Sequence, residues 1–389
     1  MRFLAENPAI DLHVACCTRP DPRLYRGEEY INKAVVPSLM SAGVAHTYVP
    51  NRAPVPSLGN FFGVINPRLV RMIRDGQWDA CLIYGYAYAS CWLAMIAARR
   101  AGVAVLLSTD ATTLAPQHGG RWKGWLKRLL LPYIYQLADV IVVPSTDARL
   151  FVRTMGVSND RVVLTPYVVD NAGIQAAAEL ANPVHTRAAW GIPGDAPVAL
   201  FCGKFIARKR PQDAVRAFAL AAVAEAHLLL VGAGPLEVEL RAAVDAYGLK
   251  DRVHFCGLVA YEDLPAIYAA ADVLVVSSSH EPWGLPVNEA MLCATAVIAS
   301  DRVGAARDLI TDGVTGYVYD HRKFEMLVTR LRECLADRSK LTALGEAAAL
   351  RMQAWSPQHN AESVARAVRW AVARRLTLLR STAARGSLE

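Results

Sequence analysis

Short apolar runs alternate with amphipathic segments along the first half of the chain. The apolar runs cover residues 10–16, 47–49, 80–85, 103–108 and 140–145. Patterns with the helical period separate them at residues 68–74, 87–100 and 122–137. Buried strands that alternate with helices are typical of a parallel, doubly wound sheet. We therefore predict a Rossmann-like α/β domain for this half.

The same alternation begins again after Pro183. Strands are predicted at residues 198–203, 227–232, 252–257, 272–277, 295–300 and near 316–319, and helices at 211–222, 235–247, 262–270 and 286–293. Two α/β domains suit a chain of 389 residues, because one hydrophobic core seldom keeps growing to that length. The carboxyl ends of the two sheets are expected to face a ligand-binding cleft.

We place the N-terminal domain at residues 1–185, the C-terminal domain at 186–355, and a C-terminal helix and tail at 356–389. The helix is expected to cross back to the N-terminal domain, although a plain C-terminal packing helix fits its pattern almost as well. The opening MRFLAENPA has the pattern of a helix tail, so the first strand and the glycine-rich loop of the domain are expected to be missing. The final RGSLE resembles a cloning scar and is left out of the fold prediction.

The formal charge of +7 is concentrated in the first half of the chain. This excess favours an anionic partner or surface, and ordinary solvated charge is the simpler alternative. The eight cysteines include no CxxC pair, which indicates free thiols in a reducing compartment. Because no signal peptide or membrane-spanning run is evident, we predict a cytoplasmic protein, soluble or peripherally attached to a membrane.

A basic loop, GKFIARKRP, follows the predicted strand at 198–203. It presents Lys204, Arg208, Lys209 and Arg210 just before a helix. Cationic side chains beside free backbone N–H groups suit a phosphate group. Taken alone, the loop is equally consistent with a solvated basic surface.

A glycine turn, VGAGPLEVEL, follows the next predicted strand. Gly232 and Gly234 could serve a ligand or could simply shape a tight turn before the helix. The turn departs from a dinucleotide fingerprint because Glu237 holds the position of the third glycine.

Two glutamates flank a glycine-containing loop in SSSHEPWGLPVNEAM. Pro286 is expected in the first turn of a helix, with Glu281 before that helix and Glu289 about one turn into it. Carboxylates placed in this way can accept hydrogen bonds from vicinal hydroxyls of a sugar. For the pair alone, stabilisation of the helix N-terminus by negative charge is the simpler explanation.

Taken together, these motifs resemble those of retaining GT-B glycosyltransferases, particularly family 4. The glutamate pair after DVLVVS resembles the family's glutamate motif, and GKFIARKRP resembles its donor-phosphate loop. VGAGPL and RVHFCGLV are similar to its glycine turn and its nucleotide-base strand. The likeness is strong across residues 198–355 and looser before them.

The resemblance implies a role for each matching residue. Lys204 and Lys209 would neutralise the donor diphosphate, Glu289 would bind ribose hydroxyls, and Glu281 would bind the transferred sugar. Backbone donors would come from Gly284 and Leu285, the glycine turn would contribute Gly232 and Gly234, and Leu258 and Val259 would border the base. Lys204 stands where the family usually has arginine, so the charge is kept and bidentate recognition is lost.

The resemblance also points to the loop after the fourth strand, where the family often places a histidine near the sugar. This chain reads LLSTDATTLAPQHGG there, and Asp110 or His118 could occupy that region. With Glu281 and Lys209, these two residues complete our set of candidate catalytic residues. A solvent-exposed loop histidine is the more ordinary interpretation of His118.

The segment Arg121–Leu137 interleaves tryptophan and leucine with lysine and arginine. It could lie on an anionic membrane surface. An ordinary helix that buries one face in its domain is the slightly favoured alternative, because Pro132 and the apolar end of the segment suit packing.

The resulting hypothesis is a retaining glycosyltransferase of bacterial polysaccharide biosynthesis. It would use a UDP- or GDP-sugar as donor substrate and a saccharide or lipid-linked acceptor, with no cofactor and no nucleic-acid partner. A metal is not implied, because the sequence contains no Asp-x-Asp. A GT-B epimerase or phosphorylase is one alternative, and an inactive nucleotide-sugar-binding protein, favoured by the expected loss of the first unit, is another.

Overall fold

The computed structural model describes residues 2–19, 43–114 and 121–386. The chain divides into two compact units: Met1–Pro166 with Gln358–Glu389, and Tyr167–Pro357. This division lies before the boundary expected at residue 185, because the helices Asn171–Leu180 and Pro183–Ala188 pack on the helix Leu264–Ala270 of the second unit.

The first unit contains six parallel strands and five helices that precede residue 166 within the described ranges. Its strands are β1 (Val14–Cys16), β2 (His46–Tyr48), β3 (Ala80–Tyr84), β4 (Ala104–Ser108), β5 (Val140–Val143) and β6 (Val162–Leu164). Its helices are α1 (Arg2–Ala5), α2 (Arg68–Asp75), α3 (Ala89–Arg100), α4 (Arg121–Leu137) and α5 (Thr146–Thr154). Strands β3 to β6 form one sheet in sequence order, and β1 pairs with β2. The predicted strands are confirmed, although the first is confined to β1, and β6 was not predicted.

The second unit contains a six-stranded parallel sheet in the order β12-β11-β10-β7-β8-β9. Its strands are β7 (Val198–Cys202), β8 (His227–Val231), β9 (Val253–Gly257), β10 (Val273–Val276), β11 (Ala296–Ser300) and β12 (Tyr317–Tyr319). Its helices are α6 (Asn171–Leu180), α7 (Pro183–Ala188), α8 (Pro211–Ala221), α9 (Glu237–Ala246), α10 (Leu264–Ala270), α11 (Leu285–Leu292), α12 (Gly304–Leu309), α13 (Phe324–Ala336) and α14 (Arg338–Gln353). The six predicted strands are confirmed.

The long C-terminal helix α15 (Pro357–Gly386) covers one face of the β3–β6 sheet. Successive residues of a strand point to opposite faces of its sheet. Leu106 of β4 therefore packs with Ala367 and Ala371 of α15, whereas Leu107 packs with the layer that contains Met95 of α3. Because both faces are covered, the strand reads as a continuous apolar run. Among the described helices, none has the length and apolarity needed to cross a membrane.

The strand order of the second unit creates a topological switch point between β7 and β10. The chain proceeds from β7 through β8 to β9 on one side, and from β10 through β11 to β12 on the other. The loops that follow β7 and β10 therefore leave the same carboxyl edge of the sheet as neighbours. Ligands of open α/β sheets bind in the crevice at such a point.

Arg187 joins α7 to this sheet from a buried position. Its Nη2 lies 3.0 Å from Asp272 Oδ2, and its Nε donates to the carbonyl oxygen of Ala270 at 2.8 Å. The same carboxylate oxygen accepts the backbone N–H of Val198 at the start of β7. One buried ion pair therefore connects a helix, the strand that precedes the basic loop, and the strand that precedes the glutamates.

We expect Arg187→Met to destabilise the second unit by about 3 to 5 kcal/mol, because Asp272 would remain buried without its partner. Urea unfolding followed by tryptophan fluorescence would measure the change. Arg74→Met, which removes an exposed ion pair with Asp75, is the control and should leave the unfolding midpoint unchanged. Equal midpoints for the two variants would contradict the structural role of Arg187.

Candidate functional site

The basic loop after β7 is fixed to the glycine turn after β8 by backbone hydrogen bonds. The N–H of Gly203 donates to Val231 at 2.9 Å, and the N–H of Phe205 donates to Ala233 at 2.9 Å. The carbonyl of Phe205 in turn accepts from Leu236 at 3.1 Å. The two loops therefore form one continuous surface at the carboxyl edge of the sheet.

Gly232 and Gly234 permit this close approach. A Cβ on Gly232 would overlap the carbonyl oxygen of Gly203, and a Cβ on Gly234 would overlap the backbone of Phe205. Gly232 also has a φ of +137°, which disfavours other residues. The glycine turn thus has a definite packing function, which is to hold the basic loop in place.

The loop after β10 contacts the basic loop directly. The Ser277 hydroxyl lies 3.1 Å from the carbonyl oxygen of Lys209 and 2.8 Å from that of Arg210, close enough to donate to them. The backbone N–H of Ser279 donates to the carbonyl of Arg208 at 2.9 Å. These contacts bring the two predicted motifs together at the switch point.

Glu281 is the centre of this junction. Its carboxylate forms an ion pair with Lys209 Nζ and accepts a hydrogen bond from Arg208 Nη1 at 3.0 Å. Its backbone is held as well, since its N–H donates to Arg302 and its carbonyl accepts from Gly304. The side chain is only 13% exposed, so its charge is compensated by cations rather than by bulk water.

Gly284 and Leu285 lie at the start of α11. Gly284 is the N-cap residue with a φ of +106°, and the helix begins at Leu285 with Pro286 in its first turn, as expected. Gly284 is buried, whereas Leu285 is exposed. A Cβ on Gly284 would press against Val303, so this turn also requires glycine.

Glu289 lies on α11 with only 6% of its surface exposed. Its Oε2 accepts a hydrogen bond of 2.7 Å from the hydroxyl of Tyr268, which is fully buried on α10. Burial raises the pKa of Glu289, and this effect outweighs the hydrogen bonds from Tyr268 and Tyr261 and the positive charge of Lys209. Lys209 therefore acts on both predicted glutamates.

The other candidate donor residues of this unit occupy neighbouring positions. Lys204 is half-buried between Gly203 and Phe205 in the basic loop. Leu258 is exposed and Val259 half-buried, directly after the edge strand β9. The end of β9 reaches the glycine turn, because the N–H of Gly232 donates to the carbonyl of Gly257 at 2.8 Å.

The two predicted acceptor-side residues belong to the first unit. Asp110 is exposed, just after β4, and its negative charge adds to the burial that raises the pKa of Tyr86. His118 lies outside the described residues. The roles of both residues remain predictions.

A group of potential metal ligands lies elsewhere on the second unit. Among the described residues, Asp301, Asp320 and His321 place one ligand atom each within 4.8 Å of the others. Arg322 pairs with Asp320 at 2.9 Å, and Arg302 Nε lies 3.1 Å from His321 Nδ1. Two arginines thus balance two carboxylates, so the group fits an ion-pair network better than a cation site.

The sequence did not predict the contacts of Arg208 with Glu281 and of Tyr268 with Glu289, although it named Arg208 among the cations of the basic loop. Arg208 is 73 positions from Glu281, and Tyr268 is 21 positions from Glu289. Such separations carry no local periodic signal. The adjacency of the loops after β7 and β10 could have drawn attention to Arg208, whereas nothing in the pattern distinguishes Tyr268 from an ordinary core tyrosine.

Two family profiles match the chain. The profile described as glycosyl transferases group 1 matches residues 185–351. The profile described as glycosyl transferase 4-like domain matches residues 9–168.

Curated relatives share about three residues in ten with the chain. A D-inositol 3-phosphate glycosyltransferase of Kineococcus radiotolerans is 31% identical over 66% of this chain and 62% of its own length. A GDP-mannose-dependent alpha-(1-6)-phosphatidylinositol monomannoside mannosyltransferase of Mycolicibacterium smegmatis is 29% identical over 72% of this chain and 73% of its own length. A 2-deoxystreptamine glucosyltransferase of Streptomyces kanamyceticus is 28% identical, and the match spans 60% of that protein's length and 57% of this chain.

Solved structures share the fold at low sequence identity. Anabaena HepE in complex with UDP superposes with a TM-score of 0.65 at 20% identity, covering 89% of this chain and 88% of that one. A sucrose-phosphate synthase from Thermosynechococcus elongatus also gives a TM-score of 0.65, at 23% identity over 93% of this chain and all of that one. These similarities support the same two-domain α/β fold.

The raised pKa of Glu289 predicts a pH-dependent cost of folding. Below its ordinary value of 4.5 the carboxyl is protonated in both the folded and the unfolded chain, and the cost is absent. As pH rises from that value through the higher folded pKa, the unfolded chain is favoured. We therefore expect Glu289→Gln to gain stability over the wild type progressively as pH rises from about 4, until the difference levels off above the folded pKa.

Urea unfolding midpoints at several pH values would measure this difference. Glu346→Gln, on the exposed side of α14, controls for the loss of one negative charge. A stability difference for Glu289→Gln that is constant with pH, or that shrinks as pH rises, would contradict the raised pKa.

Proposed function

We infer that this chain, which belongs to the glycosyl transferases group 1 family with the GT-B fold, transfers a sugar from a nucleotide-diphosphate sugar to an acceptor hydroxyl. Family membership rests on profiles that match both units. The transfer reaction itself is a proposal, since the matches with two of the relatives described above cover 60% and 62% of their lengths.

One observation carries the proposal. At the switch point of the second unit, a cation-rich loop contacts the half-buried Glu281, and Lys209 of that loop also acts on the buried Glu289. The cations suit a diphosphate, and the carboxylates suit hydroxyl groups on either side of it. A nucleotide-diphosphate sugar presents these groups in that order, from ribose to sugar.

The proposed contacts are those that the family resemblance implies, and this placement supports them. Lys209, with Lys204 in the same loop, binds the diphosphate, Glu289 binds the ribose hydroxyls, and Glu281 binds the transferred sugar. Gly284 and Leu285 add backbone donors at the start of α11, and Leu258 and Val259 border the base. UDP- and GDP-sugars are the donors to test first, because the Anabaena neighbour binds UDP and the mycobacterial relative depends on GDP-mannose.

We further propose that the reaction retains the configuration at the anomeric carbon. The acceptor hydroxyl would attack from the face that the diphosphate leaves, while the lysines stabilise the charge on the departing group. No cofactor or metal enters this scheme. Asp110 and His118 remain candidates for the sugar and acceptor side. NMR of the product would show whether the anomeric configuration is the same as in the donor.

The acceptor is proposed to be a growing bacterial saccharide or a lipid-linked one. A cytoplasmic enzyme would reach a lipid-linked acceptor from the inner face of the membrane, and one surface of the first unit suits that task. Exposed apolar side chains line α4 at helical spacing: Trp125, Leu126, Leu129, Leu130 and Tyr133.

The opposite side of α4 is an ordinary packing face. Leu131, Ile134 and Tyr135 are buried in the core of the first unit. One face of α4 thus packs in the core, as the packing interpretation predicts, and the opposite face still exposes an apolar stripe. Lys127 and Arg128 lie within the same stretch of helix, so an anionic membrane would complement both its charge and its apolar surface.

The donor assignment predicts that the purified chain is stabilised by at least one UDP-, GDP- or ADP-sugar and hydrolyses it slowly. Lys209→Met should weaken binding of the matching nucleoside diphosphate about tenfold or more, with a much smaller effect on the monophosphate, because the second phosphate loses a buried cation. Thermal shift and calorimetric titration would measure both effects. Lys250→Met removes an exposed lysine and is the matched control.

Two outcomes would contradict the proposed enzyme. If no sugar nucleotide stabilises the wild-type chain, the donor site is wrong. Stabilisation without turnover, even with acceptor extracts present, would support an inactive nucleotide-sugar-binding protein instead.

The membrane proposal predicts sedimentation with vesicles that contain phosphatidylglycerol, and less with pure phosphatidylcholine. The double variant Trp125→Ser/Leu129→Ser should lose at least about fivefold of this binding, since two exposed apolar side chains leave the surface. Leu350→Ser, which changes an exposed leucine of α14, is the control. Equal binding by the double variant and the control would exclude α4 as the contact.

A further inference from the structure

Arg208 contacts the loop after β10 through both its side chain and its backbone. Its Nη1 donates to Glu281 Oε2 at 3.0 Å and to the carbonyl oxygen of His280 at 3.0 Å. Its own carbonyl accepts from the N–H of Ser279 at 2.9 Å and lies 3.2 Å from the Ser279 hydroxyl. Arg302 also contacts Glu281, but through its backbone carbonyl, which accepts the Glu281 N–H at 2.9 Å.

We propose that Arg208 is a positioning residue that holds Glu281 for the transferred sugar while Lys209 binds the donor diphosphate. This inference rests on the donor site proposed above. It gives Arg208 a role distinct from the phosphate contact that its place in a basic loop would suggest.

The charges around Glu281 support separate roles for Arg208 and Lys209. The Glu281 carboxylate carries one negative charge and contacts two cations, Arg208 and Lys209. Because two cations share this one carboxylate, Arg208 can keep Glu281 paired when Lys209 contacts an anion. Of the two cations, Lys209 is the more buried, with 15% of its side chain exposed, and its charge also acts on Glu289.

The diphosphate would otherwise compete with Glu281 for Lys209. If Lys209 were the only partner, its engagement with phosphate would leave a largely buried carboxylate without a compensating charge, which is costly. The second bond, from Arg208, keeps Glu281 paired and oriented when Lys209 turns to the donor. Lysine can take the phosphate role because its ammonium is a compact charge on a flexible stem, which can move from Glu281 to the donor.

Arg208 can be tested without removing the loop from its place. The backbone bonds of residue 208 to Ser279 persist in any substitution, and the Ser277 hydroxyl still reaches the carbonyls of Lys209 and Arg210. Arg208→Met therefore removes the guanidinium alone. Arg208→Lys keeps the charge but not the planar donor group, and Arg322→Met, on an exposed side chain, is the control.

The experiment compares a nucleoside diphosphate with its sugar conjugate on each full-length variant. Calorimetric titrations use UDP with UDP-glucose, and GDP with GDP-mannose, and the pair that binds the wild type is analysed. For Arg208→Met we expect diphosphate affinity to fall by no more than about threefold, because Glu281 then competes with phosphate for Lys209, and the ratio of sugar-nucleotide to diphosphate affinity to fall about tenfold. Arg208→Lys should lose about threefold of that ratio, and Arg322→Met none.

The outcomes separate this inference from the donor proposal. Equal losses of diphosphate and sugar-nucleotide affinity would mean that Arg208 itself binds phosphate, and the positioning role would be wrong. An unchanged ratio in Arg208→Met would also overturn it. If Arg208→Met does not fold, an unchanged ratio in Arg208→Lys decides against the role in the same way. A wild type that binds a different UDP-, GDP- or ADP-sugar is titrated with that pair, and failure to bind any of them overturns the donor proposal and this inference with it.

Discussion

The close packing of two backbones at Gly232 and Gly234 fixes the position of the basic loop in the candidate site. The carbonyl of Gly203 and the backbone of Phe205 occupy the space that side chains at those glycines would need. Because the basic loop lies directly on the turn after β8, Lys209 reaches the loop after β10 at the neighbouring central strand. The order of the strands in the sheet thus determines which cations and carboxylates come together.

The two glutamates occupy different electrostatic environments, although they belong to one motif. Glu281 lies between two cations and is held by backbone bonds on both sides. Glu289 lies in an apolar setting, where burial raises its pKa and a buried tyrosine hydroxyl donates to it. A carboxylate that is costly to bury gains from hydroxyl groups that a ligand brings. Such a cost to stability is typical of residues retained for binding.

The sequence alone predicted the sheet strands well wherever apolar runs are long and bounded by glycine or proline. The run at 198–203 corresponds to β7, and the helix predicted at 286–293 corresponds to α11 at Leu285–Leu292. β6 (Val162–Leu164) was not predicted, although β2 and β12 are equally short. The site was predicted as separate motifs, but their contacts depend on strand order, which places β10 beside β7 rather than beside β9. No local sequence pattern predicts the hydrogen bond from Tyr268 to Glu289.

The backbone on either side of Lys204 affects how this lysine could bind a phosphate. A family member with arginine there could orient a phosphate through two parallel hydrogen bonds, whereas Lys204 can supply only a point charge. In this chain the neighbouring backbone is already fixed, since both Gly203 and Phe205 are bonded to the turn after β8. A rigid loop can place a compact charge accurately without a planar side chain to orient the ligand. In the same loop, bonds to His280 and Glu281 direct the guanidinium of Arg208 toward the carboxylate that we assign to the sugar. Orientation of the donor in this chain would then depend more on the sugar end of the site than on the phosphate end.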